Sequence, residues 1–296
     1  MPGTPTAPPP TNPLIDAVEG AAALDGPAAP IGEKVREVFT PGPVRDLLAG
    51  TWLGHALHPL LTDVVIGAWT SVNLLDLLGG DDDGKASERL IAVGIAAYGP
   101  TALTGTIDWA DGEIGDPRVR RMGLVHAATN ATALGLYTAS LFARRNGSHG
   151  RGKLLALAGS AVMGAGGFLG GHLAYARGVG VNQTAFDEGP SDWTEALGSD
   201  DLQAGEPKTV VVDDTPVMFV RHSDGIHALH DRCSHRGCSL TDMGEVDGHI
   251  VTCNCHGSKF DLRDGSVQQG PATTHQPSYD VRESDGQISI RLATTG

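Results

Sequence analysis

Two short runs, CSHRGC at 233–238 and CNCHGS at 253–258, hold all four cysteines of the chain and set a histidine beside each pair. Thiolates and neutral imidazoles are metal ligands, and Cys233-x-His235 with Cys253-x-x-His256 offers two of each. Such a set satisfies a tetrahedral zinc ion. Zinc fingers, however, group both cysteines before both histidines. Here each run supplies one of each, as a dinuclear cluster with two unlike irons requires. One iron takes both thiolates and the other both imidazoles, which raises the reduction potential. On residue types alone, zinc stays open as the alternative.

Strands must position these runs. TVVVDDTPVMFVR (209–221) predicts two strands about a turn at Asp213-Asp214. Short strands follow in IHALH, HIVTC, KFDL and SVQQ, and SYDVRESDGQISIRL (278–292) predicts a hairpin about Ser284-Asp285-Gly286. The expectation is an all-β domain over 205–296.

With its motif on such strands, the segment 205–296 resembles the Rieske 2Fe–2S family. The resemblance implies Cys233 and Cys253 on one iron and His235 and His256 on the other. It also implies a disulfide between Cys238 and Cys255 that joins the two cluster loops. Gly270-Pro271-Ala272 matches the family's third, proline-containing loop, and Ser258 its hydroxyl donor to a bridging sulfide. The disulfide pair and the CHGS run resemble the subclass of cytochrome bc complexes. Two departures stand against that subclass. Phe260 occupies the position of a tyrosine that donates to a ligand sulfur in high-potential members, so the expected potential falls. His235-Arg236-Gly237 resembles oxygenase-associated ferredoxins instead.

The chain before this segment is organised differently. Segments 58–80, 89–109, 123–143 and 153–176 are low in charge, and short polar loops separate them. Each approaches the roughly 20 residues that a helix needs to cross a bilayer. Asp63 and Asp76 oppose that reading, at roughly 2.5–3.5 kcal/mol each if central, and a soluble four-helix bundle, buried against itself or in an oligomer, is the alternative. Gly166 with Gly170 has the spacing that lets helix backbones approach closely. The region also resembles an uncharacterised family of small four-helix membrane domains that open with a His-Pro pair, here His58-Pro59.

The expected fold is therefore two-domain. A Pro/Ala-rich tail and approach segment (1–50) precedes an all-α, transmembrane four-helix bundle (51–178). A polar linker (179–204) then leads to an all-β Rieske domain (205–296). Four crossings place His58, Asp108, His126 and His172 on one side. His126 and His172 then lie about 7–8 Å inside their helix ends, at 1.5 Å per residue. Ionisable groups at that depth mark a candidate second redox or quinone site, holding haem or a quinone head-group. Hydrogen bonding of these groups across helices is the plainer alternative.

The formal net charge of −14 argues against nucleic acid. The N-terminus, without Lys or Arg before Lys34, is not expected to be a secretory signal. The expected function is a multi-pass, membrane-tethered one-electron carrier, an electron-transfer component of an oxidoreductase. It would pass electrons between a quinol or donor protein and an acceptor. A redox sensor and a ferredoxin component of an oxygenase system are the alternatives. The short stretch after His256 leaves no expected room for an oxygenase's mononuclear iron. Oligomeric state and the side carrying the cluster are not set by the sequence.

Overall fold

The computed structural model describes residues 12–80 and 84–293. The reading of 1–11 as part of a tail lies outside the described residues. The chain forms two compact units. One runs through Arg36 and takes in Leu61–Ala102 and Gly112–Arg177; the other holds Glu37–Leu60, Leu103–Asp111 and the chain from Gly178.

From Asn12 onward the tail and approach segment carries helices. Asn12 caps α1 (Pro13–Gly20) by accepting from Leu14 N at 3.0 Å, and Pro13 opens its first turn. Next come α2 (Asp25–Val38) and α3 (Pro43–Ala49), the latter again opened by proline. Proline at a helix start is favourable, because its missing N–H would have no partner there. Counting prolines misses this.

The long helices follow: α4 (Leu57–Leu78), α5 (Gly84–Gly112), α6 (Pro117–Arg145) and α7 (His149–Gly171), which continues as a π-helical turn, His172–Ala176. Three are long and apolar enough to cross a membrane: α4, α5 and the stretch His149–Ala176. The remaining expected segment, α6, is also a long helix and is more polar. His126, Thr129, Asn130 and Thr132 dilute its middle, and arginines crowd both ends.

Within the helical unit, polar groups are answered. Trp69 stacks on Tyr137 with centroids 4.2 Å apart and donates to Ile91 O at 3.3 Å. Asn73 reaches Tyr137 Oη at 2.9 Å and Ser160 Oγ at 3.0 Å. Asp76, a liability in the sequence, pairs with buried Arg144, whose Nη1 lies 2.9 Å from Oδ1. Asp63 lies exposed on the helix surface.

The second unit carries a six-stranded antiparallel sheet ordered β1-β10-β9-β4-β3-β2 and a four-stranded sheet ordered β5-β6-β7-β8. The first sheet comprises β1 (Thr194–Gly198), β2 (Lys208–Val212), β3 (Thr215–His222), β4 (Gly225–His230), β9 (Ser278–Ser284) and β10 (Gln287–Leu292). The second comprises β5 (Gly244–Asp247), β6 (Ile250–Cys253), β7 (Lys259–Asp261) and β8 (Val267–Gln269), with the short α8 (Leu240–Met243) ahead of it. β1 falls inside the segment read as linker. Its sequence, TEALG, lacks β-branched and aromatic runs, and pairing with β10 is what makes it a strand. Asp213 and Asp214 adopt positive φ in the β2–β3 turn, as does Asp285 in the β9–β10 turn.

Alternation along β3 divides its side chains between two cores. Val217 and Phe219 join Leu197, Ile288 and Ile290, whereas Met218 and Val220 join Cys233, Cys253, Phe260 and Leu262. Burial on both faces makes β3 a continuous apolar run.

Candidate metal centre

Two loops leaving the strands have the same backbone construction. In the first, Cys233 N donates to Cys238 O and Gly237 N to Cys233 O, both at 2.8 Å. In the second, Cys253 N donates to Ser258 O and Gly257 N to Cys253 O, again at 2.8 Å. Each knuckle needs a residue at positive φ four places after its cysteine. Gly237 (φ 77°) and Gly257 (φ 87°) supply it without the steric penalty of a Cβ. This explains the glycine in both motifs.

The knuckles bring the expected residues together. Cys238 and Cys255 form a disulfide. Cys233 and Cys253 are buried and in no disulfide. The rings of His235 and His256 lie 4.9 Å apart, nearly perpendicular.

The donor chemistry fits a mixed thiolate–imidazole centre. His235 Nδ1 is buried with no hydrogen-bond partner, an arrangement that costs about 1–3 kcal/mol unless something binds there. Burial, reinforced by the neighbouring His235, pushes His256 down to about 4, so its imidazole is neutral and able to ligate. A hydrogen bond from Cys233 lowers the Cys253 thiol to about 7, while that contact and burial push Cys233 up. Residues Cys233, Cys253, His235 and His256 could thus hold two irons in a 2Fe–2S cluster.

The third loop closes over the knuckles. Ala272 N donates to Ser258 Oγ at 2.9 Å, which leaves the Ser258 hydroxyl proton free to donate elsewhere. Gly270-Pro271 lies in the same loop. Phe260 is fully buried and brings no hydroxyl to the site.

Sequence reasoning missed what surrounds these loops within the same unit. Asp46 Oδ1 accepts from Gly270 N at 3.0 Å, and Thr51 Oγ1 donates to Ala272 O at 3.3 Å. Pro41 lies so close over Gly257 that an added Cβ would sit 2.6 Å from its Cγ. Asp111, buried and paired with Arg45, brings Oδ2 to 3.4 Å from His235 Nε2. All these residues come from 37–60 and 103–111. Their one sequence signal is the acidic cluster closing an otherwise apolar helix, DWADGE (108–113).

The speculative second site finds no support. Asp108 lines a small cleft with His235, Arg236 and Pro271. His58 lies 3.5 Å from Thr104 Oγ1 in that unit. In the helical unit, His126 Nδ1 bonds Gly166 O at 2.9 Å, with the Asn130 amide 3.1 Å from Nε2. Gly166 and Gly170 make the room, since a Cβ at either would strike Asn130 or His126. His172 Nε2 bonds Glu19 Oε1 at 2.8 Å.

Comparison with known proteins gives two family matches. Residues 192–280 match the Rieske [2Fe-2S] domain, and residues 54–183 match a family described as predicted membrane protein (DUF2231). A 3-phenylpropionate/cinnamic acid dioxygenase ferredoxin subunit from Photorhabdus laumondii is 36% identical over 28% of this chain and 79% of its own. A biphenyl dioxygenase ferredoxin subunit from a Pseudomonas species is 31% identical, covering 30% of this chain and 83% of its own. A cytochrome b6-f complex iron-sulfur subunit from Chlorobaculum tepidum is 31% identical, over 31% of this chain and 50% of its own. Among solved structures, the ferredoxin of carbazole 1,9a-dioxygenase from Nocardioides aromaticivorans IC177 is similar at 30% identity and a TM-score of 0.32, covering 34% of this chain and 98% of that one.

Proposed function

Because the chain belongs to the Rieske [2Fe–2S] family and joins that domain to a predicted membrane protein domain, we propose that it is a membrane-tethered carrier of single electrons. It receives them from a quinol or a donor protein and delivers them to an acceptor protein. The observation that carries this reading is the paired knuckles: two loops joined by a disulfide carry two buried thiols outside it and an orphaned imidazole nitrogen. The cluster, when bound, supplies a reversible one-electron couple. Cys233 and Cys253 hold one iron, and His235 and His256 the other. The disulfide fixes the two loops against each other, and Ser258 stabilises the reduced form by donating a hydrogen bond.

Three apolar helices of crossing length support the tether, and multi-pass insertion is part of the proposal. Phe260 supports the lower end of the potential scale, because it withholds the donor that a tyrosine would give. That end suits a donor protein better than a quinol, in keeping with the ferredoxin subunits among the relatives.

Protein-film voltammetry on the full chain in detergent tests the reading. A reversible one-electron couple in the lower half of the Rieske span of about −150 to +300 mV is expected. A couple near its top would move the donor to a quinol, and no reversible couple at all would end the carrier reading.

A further inference from the structure

Away from the cluster loops, four residues from two hairpins converge on one point. His222 ends β3 and His227 lies on β4. The register pairs His222 with Gly225 and Val220 with His227, so both rings project from the same face of the six-stranded sheet as diagonal neighbours. Asp224 stands in the β3–β4 turn between them. His249 comes from the other sheet, in the β5–β6 turn, where its carbonyl accepts from Leu262 N at 2.7 Å.

The three imidazoles all point at one carboxylate. His222 Nδ1 lies 2.8 Å and His227 Nε2 3.1 Å from Asp224 Oδ1, and His249 Nε2 lies 2.9 Å from Oδ2. One ligand atom from each of the four residues lies within 4.8 Å of the others. The rings of His222 and His249 are 4.3 Å apart between centroids. The three rings are half-buried, with Asp224 more exposed, so the cluster opens to solvent on one side.

We propose that His222, Asp224, His227 and His249 form a second metal site, binding one divalent zinc-class ion per chain. Three neutral imidazoles and one carboxylate are a complete tetrahedral set, and they satisfy zinc without an open coordination position. Ligand distances of about 2.0–2.2 Å require only that the rings rotate inward from their hydrogen-bonded positions. The ion takes the place of the protons now shared with Asp224. Its role is structural: it staples the β3–β4 hairpin of one sheet to the β5–β6 hairpin of the other. Soft thiolates are absent from the site, so it differs in kind from the cluster loops.

The test uses the cluster-loaded full chain without a polyhistidine tag, stripped of loosely bound metal by a chelator and then given Zn2+. One zinc per chain should survive gel filtration while the iron content is unchanged. The zinc K-edge absorption spectrum should show a nitrogen/oxygen shell at about 2.0–2.2 Å and no sulfur at about 2.3 Å. His227→Ala together with His249→Ala should abolish the retained equivalent and leave the cluster's visible circular dichroism intact. Sulfur in the zinc shell, zinc retention unchanged in the double variant, or no retained zinc would overturn the proposal. If the double variant does not fold, the ligand shell of the unaltered protein decides the matter alone.

Discussion

The helical unit and the β unit each hold a pair of histidines that sequence alone marks for chemistry, and the structure treats His235 unlike the helical pair. His126 has both ring nitrogens engaged, by Gly166 O and the Asn130 amide, and His172 has Nε2 on the Glu19 carboxylate. His235 keeps a buried Nδ1 with no partner at all, beside two buried thiols outside any disulfide. A buried polar atom left unsatisfied is destabilising, and a bound ligand relieves that cost. Histidine at depth is thus weak evidence for a site. An unpartnered histidine beside two buried thiols on the same loops is stronger evidence.

The largest effect should come from breaking the β-unit side of this contrast. Cys253→Ser should abolish the cluster, with iron per chain falling to background, whereas His126→Ala and His172→Ala should leave iron content unchanged. Iron analysis with visible circular dichroism reads both. Loss of cluster on replacing either helical histidine would collapse the distinction.

In the helical unit, the corresponding test is to create an orphan. Arg144→Met strands the carboxylate of Asp76, and removing one partner of a buried ion pair costs about 3–5 kcal/mol. Unfolding in detergent should show that loss, and the double change Arg144→Met with Asp76→Leu should recover most of it. A double variant no more stable than the single one would mean that packing, not pairing, makes Arg144 important.

Smaller effects sharpen the picture at the cluster. Phe260→Tyr should raise the reduction potential by an amount on the order of tens of millivolts, because a phenol can donate where phenylalanine cannot. Asp111→Asn should also raise it, since removing a negative charge beside His235 favours the more negative reduced state. Voltammetry checks both, and a fall in either potential would contradict the assigned surroundings.

The smallest expected effect is a pH dependence at α1. Burial raises the Glu19 carboxyl, but hydrogen bonds and charge from Arg177 and His172 outweigh it and hold the group below its ordinary 4.5. The contribution is therefore full above that value and is lost as pH falls through the lower folded-state value. The protection of α1 amides, corrected for intrinsic exchange, should fall as pH drops below 4.5, and Glu19→Gln should remove that pH dependence. Protection unchanged by acid in the unaltered chain would show that Glu19 does not anchor α1.

What could be read from sequence follows the range of the interactions involved. The knuckles were legible because ligand, glycine and disulfide cysteine lie within six residues of one another, so local spacing encodes them. The turns at Asp213-Asp214 and Asp285-Gly286 were legible for the same reason. β1 was not, because TEALG becomes a strand only through β10, far along the chain. Asp46, Thr51 and Asp111 were equally hidden, since nothing local to them points at loops that come more than a hundred residues later. His222, Asp224, His227 and His249 are four unremarkable polar residues until two hairpins are brought side by side.

The central claim is that the two knuckles hold a pair of chemically unlike irons. Mössbauer spectroscopy of the full chain grown on 57Fe and purified in detergent tests it most directly. The account predicts two iron sites in equal amount, distinguishable in the oxidised protein, with one iron localising the added electron on reduction. A single class of iron indistinguishable in the oxidised state, or a folded protein carrying stoichiometric zinc and no iron at Cys233 and Cys253, would contradict it.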